Sequence, residues 1–144
     1  MIGFFIALLS GALMSLQGVF NTEVTKQSSV WVSATWVQFS ALLACLAIWA
    51  AFDRESLMAV TRVTPKYMLL GGIFGAFITY TVIQSMSALG PAKATMLIVI
   101  AQLTVSWAVE LLGLFGLDKG AFSWRKLIGL LVAVGGVILF EWET

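Results

Sequence analysis

A chain of 144 residues that is 60% hydrophobic, only 10% charged and carries a formal net charge of +1 lies far from soluble domains, of which roughly 25% is charged. A mean hydropathy of +1.01 excludes an ordinary water-soluble core, and the near-neutral balance gives no reason to expect a nucleic-acid partner. With no His and one cysteine, Cys45, inside an apolar run, neither a His-dependent metal site, a catalytic triad nor an internal disulfide can form.

Charge-free runs cover residues 1–22, 27–52 and 67–92. Crossing a bilayer core about 30 Å thick takes about 20 helical residues. Because backbone groups in hydrocarbon must satisfy one another, each run is read as a helix. The first is expected over residues 2–21; it lacks the basic leader of a cleaved secretory signal. The second, over 30–52, follows Ser28 and Ser29 as caps, and the third, over 65–89, opens at Thr64 and Pro65. The fourth spans 91–117 behind Gly90 and Pro91, and the fifth spans 124–142 behind Ser123. The uncharged part of the fifth, 127–140, is short for a span, so Arg125 and Lys126 are expected to snorkel to the interface. Trp31, Trp49, Tyr67, Trp124 and Trp142 fall near helix ends, where amphipathic rings favour headgroups.

The result is an all-α chain: one transmembrane domain over residues 1–144 with five passes. Linkers are short, and only residues 53–64 make a longer solvated connection. With five passes, Arg54, Arg62, Lys66, Lys119, Arg125 and Lys126 lie on the side of the N-terminus, and Lys26 and Lys93 lie opposite. That bias predicts a cytoplasmic N-terminus and an external C-terminus.

Polar groups inside apolar helices need partners or water, so they are where function is sought. In the first helix Gly3, Ala7, Ser10, Met14, Gln17 and Asn21 form one stripe, expected to face protein or a cavity. In the fourth, Thr95, Gln102, Ser106 and Glu110 share a broad face that could line a path. Glu110 is the sharpest single residue: hydrocarbon favours the protonated acid and would suit it to proton exchange, while the alternative is a carboxyl bonded to a neighbouring helix or reaching cytoplasmic water. The amides of Gln17, Asn21, Gln38, Gln84 and Gln102 can bind a polar solute or join helices. Tyr80 and Trp107 can stack on a flat or cationic solute or pack in the interior.

Gly71 and Gly75 form GxxxG in an apolar helix, a packing motif rather than a phosphate loop. Gly129, Ala133, Gly135 and Gly136 allow close backbone contact and are expected at a subunit interface. No Walker-type loop is present, no cofactor is expected, and catalysis is not the expected activity.

The segments QGVFN at 17–21, GGIFG at 71–75, LGPAKA at 89–94, Gln102, Glu110 followed by GLFGL, and the final GLLVAVGGVIL together resemble the YdcZ-like family of the drug/metabolite transporter superfamily. The resemblance implies a small bacterial inner-membrane exporter of about five helices, acting on a solute that the family does not specify. It also implies an antiparallel dimer, with a second copy or an inverted paralogue as partner. The last helix is similar to the dimerising helix of the small multidrug-resistance branch. Two positions depart from the pattern: Gln17 stands where such exporters use a membrane carboxylate, and Glu110 stands where the family usually has Asp. Proton antiport does not follow from the resemblance. The expected activity is secondary transport of a small amphipathic or cationic solute, contacted by Gln17, Asn21, Gln38, Tyr80, Gln84, Gln102, Ser106 and Trp107, with Glu110 as the coupling candidate. A structural or assembly subunit and a passive channel are the other readings.

Overall fold

The computed structural model describes residues 1–141; Trp142, expected as the last residue of the fifth helix and as an interfacial anchor, lies outside the described residues. The α-helices are α1 (Ile2–Gln27), α2 (Val30–Ile48), α3 (Gly71–Leu89), α4 (Pro91–Leu112) and α5 (Trp124–Glu141). No strand occurs among the described residues. The surface is apolar on every side of the helices: Phe4, Leu8, Phe39, Phe77, Val105 and Leu131 are all exposed, and among the described residues the buried hydrophobic side chains are Ala34, Ile83, Met86 and Ala94. Such a surface is matched to lipid rather than to water.

Four stretches, Ile2–Gln27, Val30–Asp53, Lys66–Leu89 and Pro91–Leu112, are long and apolar enough to cross a membrane. The fifth helix forms, but its 18 residues rise only about 27 Å and include Arg125 and Lys126 in the first turn. By length and composition it falls short of the other four.

Several boundaries differ from those expected. α1 continues past Asn21 to Gln27, because Glu23 and Lys26 pair at 2.6 Å along the helix and keep the last turns favourable outside the apolar run. α2 gives way to a π-helical turn, Trp49–Asp53, closed by Arg54 in the left-handed region; the Trp49 indole donates to the Glu55 carbonyl at 2.7 Å. Pro65 does not open α3: it precedes a 3-10 segment, Lys66–Leu70, and the α-helix starts at Gly71. α4 ends at Leu112, not Leu117, because Gly113 takes φ +64 and its N–H turns back to the Glu110 and Val109 carbonyls, a glycine C-cap. The other starts are as expected. The Ser29 hydroxyl accepts from the Val32 N–H, and Pro91 occupies the first turn of α4 behind Gly90.

By internal contacts the chain forms two compact units, Met1–Ala88 and Leu89–Thr144. In the first, small residues set the helix approach. The Ser33 hydroxyl of α2, only 1% exposed, donates to the Asn21 carbonyl of α1 at 2.9 Å. A Cβ on Gly18 of α1 would lie 2.5 Å from Met86 Cε and 3.3 Å from Val82 Cγ1 of α3. Trp31 of α2 stacks on Tyr80 of α3, with ring centroids 4.9 Å apart. The second unit is the hairpin of α4 and α5.

Candidate functional site

The end of α4 and the start of α5 build a charged groove in the second unit. Leu103, Ser106, Trp107 and Glu110 recur at helical spacing on one face of α4. Lys126, Gly129 and Leu130 do the same on α5, and together these residues line an open groove of about 320 Å³.

The connection determines where Glu110 sits. After Gly113, a 3-10 turn, Leu114–Gly116, changes the chain direction. The Gly120 N–H then donates to the Glu110 carbonyl at 2.8 Å. A Cβ on Gly120 would lie 3.1 Å from Glu110 Cγ and 3.2 Å from that carbonyl oxygen, so the loop crosses Glu110 closely because position 120 has no side chain. Two residues into α5, Lys126 donates from Nζ to Glu110 Oε1 at 2.7 Å. Beside the groove, Trp107 contacts Phe122 at 5.7 Å and Phe122 meets Trp124 edge-on at 5.2 Å.

Glu110 therefore has a counter-ion on the neighbouring helix. The two side chains are 51% and 48% exposed, open enough for exchange with solvent or a ligand. Lys126, expected only to snorkel, is the principal residue that the sequence reading missed. A signal existed: in a helix hairpin, residues equally far from the turn face each other, and Glu110 lies two residues before the end of α4 as Lys126 lies two after the start of α5. Extending the fourth helix to Leu117 concealed it.

In the first unit the structure brings Gln38 and Tyr80 to the contact between α2 and α3. Gln38 Nε2 would lie 3.3 Å from a Cβ on Gly75, and an open groove of about 400 Å³ runs past Trp31, Thr35, Gln38 and Phe39. Tyr80 is stacked on Trp31, which the sequence marked as an interfacial anchor. Gln17 and Gln84 are exposed and Asn21 is half-buried. Of the stripe of Gly3, Ala7, Ser10, Met14, Gln17 and Asn21, Asn21 alone is half-buried and the other five are exposed, while Gly18 and Thr22 form the buried edge of α1. In the second unit Gln102 and Ser106 are exposed and Trp107 is half-buried. Gly129 borders the groove; Gly135 and Gly136 face open space, and Ala133 is half-buried. Among the described residues, no side-chain hydrogen bond engages Gln17, Asn21, Gln38, Gln84 or Gln102. These amides therefore form no hydrogen bond between helices among the described residues. No cluster able to hold a metal ion occurs among the described residues.

An all-helical chain with an apolar exterior, membrane-length helices and unmet amides along them is a polytopic membrane protein. A family model described as "Putative inner membrane exporter, YdcZ" matches residues 2–139, and the chain belongs to this family of inner-membrane transport proteins. Comparison with curated proteins and with solved structures gave no match.

Proposed function

We propose that this chain is a secondary transporter that exports a small amphipathic or cationic solute across the inner membrane by alternating access within a dimer. The observation that carries the reading is the set of amides, Gln17, Gln38, Gln84 and Gln102, placed on membrane-length apolar helices with no side-chain hydrogen-bond partner among the described residues. A polar group left unmet in hydrocarbon costs several kcal/mol. Such groups therefore face water, a solute or another subunit. Within the second unit, Glu110 supplies a carboxylate for a cation, Trp107 an aromatic surface and Ser106 a hydroxyl, all bordering one groove.

In this proposal α5 is the fifth pass, with Arg125 at its interfacial end, and the basic residues place the N-terminus in the cytoplasm and the C-terminus outside. The partner is a second copy inserted the other way or an inverted paralogue, since alternating access in such small transporters uses inverted repeats. Gly135 and Gly136, open in the single chain, suit a helix–helix interface with it.

Counterflow in proteoliposomes tests the reading, after a solute screen by thermal stabilisation, because a ligand that prefers the folded state raises its melting point. Accumulation of labelled solute against its own unlabelled pool is the expected result. A structural subunit gives none with any solute, and a passive channel gives flux without exchange.

A further inference from the structure

We propose that Lys126 is a tethered ammonium that occupies the cation position of the Glu110 groove, and that a solute cation binds by displacing it. This rests on the transport reading for the purpose of the groove, but names the residue that sets its affinity.

The two charges bordering the groove belong to Glu110 and Lys126, and they neutralise each other at 2.7 Å. The closed pair attracts neither ion strongly. What decides the ligand class is which partner can leave. Glu110 has the shorter reach: its backbone carbonyl accepts from the N–H groups of Gly113 and Gly120, which fixes the main chain there, and its stem passes Gly120 so closely that a Cβ on that glycine would lie 3.1 Å from Cγ and 3.3 Å from Oε1. Lys126 reaches the carboxylate from the first turn of α5 on a four-carbon stem, and rotations of that stem alone carry the ammonium to the interface. When the pair opens, the longer Lys126 stem carries its charge the farther, and the carboxylate stays beside the groove. The vacated position lies next to the Glu110 carboxylate and borders Trp107, Leu103 and Leu130, a setting for an organic cation with an apolar or aromatic body. An anion would require the shorter side chain to leave instead.

The half-exposed pair also sets the size of the effect. Exchange of a partly solvated ion pair is worth a few-fold in affinity rather than many orders of magnitude. Lys126 thereby acts as a built-in competitor that excludes weak cations.

The test is calorimetric binding of benzyltrimethylammonium to the purified protein, with benzenesulfonate as the control of opposite charge. Lys126→Met keeps the stem and removes the competitor; it is expected to bind the cation about fivefold tighter than the native chain. Lys126→Arg retains a counter-ion with a bidentate fork that leaves less readily, so it is expected to bind more weakly. Glu110→Gln should lose cation binding. Unchanged or weaker cation binding in Lys126→Met overturns the proposal, as does binding of benzenesulfonate that Lys126→Met abolishes. If Lys126→Met does not fold, unchanged affinity in Lys126→Arg overturns it equally. Cation affinity that follows position 126 without any counterflow supports the tethered ammonium and strikes the transport reading alone. Counterflow with affinity insensitive to position 126 does the reverse.

Discussion

Gly18 shows how little room separates the helices of the first unit. A methyl group there meets the end of Met86, 2.5 Å from Cε and 2.6 Å from Sδ. The thioether can turn aside, so Gly18→Ala is expected to destabilise the protein by about 1–2 kcal/mol. Gly18→Leu should prevent the approach of α1 to α3, and thermal melting in detergent distinguishes the two. A neutral Gly18→Leu would contradict the packing described. Ser33→Ala removes the hydroxyl that donates to the Asn21 carbonyl; the expected loss is about 0.6 kcal/mol, the usual size of an interhelical hydrogen bond in a membrane protein, read by the same melt. Neither contact was legible in the sequence. The stripe through Gly3, Ala7, Ser10, Met14, Gln17 and Asn21 was expected to face protein or a cavity, but only Asn21 is half-buried and the buried edge of α1 lies beside it, at Gly18 and Thr22. In a helix apolar on all sides, hydropathy has no contrast with which to separate a lipid-facing side from a protein-facing one. The five amides were marked as candidates for solute binding or helix joining, and among the described residues their side chains make no hydrogen bond.

At the scale of elements, the existence and order of the first three helices were legible from charge-free length, and those of the fourth and fifth from the apolar runs behind Gly90 with Pro91 and behind Ser123. Their ends were not. The left-handed turn at Gly113 competes with an apolar run that continues to Leu117, and this shift of one helix end is what brings Glu110 to the hairpin turn opposite Lys126. Gly113→Ala must place a side chain at φ +64 with Lys119 Cα only 3.1 Å from its Cβ. A loss of at least about 1 kcal/mol in the thermal melt is expected; no loss would mean that the turn is not as described. The fifth pass is tested by topology reporters fused to the C-terminus. If α5 crosses the bilayer and the N-terminus is cytoplasmic, alkaline phosphatase should be active there and a cytoplasmic fluorescent reporter dark. The opposite pattern would leave α5 on the cytoplasmic side and the chain with four passes.

For the whole molecule, the proposed pairing and solute binding rest on the amides without side-chain partners among the described residues, the glycines of α5 that face open space and the charged groove. A bulky Gly136→Leu is expected to lower the dimer fraction seen by cross-linking in membranes, because position 136 faces open space in the single chain and would lie against a neighbouring helix in a pair. An unchanged fraction would move the interface away from that face. The family, legible from motif order across residues 17–139, is one of inner-membrane exporters, and the proposed solute recognition turns on the carboxylate at position 110. The most direct measurement is counterflow of a labelled organic cation into proteoliposomes, run side by side for the native protein and Glu110→Gln. Accumulation by the native protein and its loss in the variant, with both equally well folded, is the expected result; equal accumulation in the two would contradict a role for Glu110, and none in either would contradict transport of that cation.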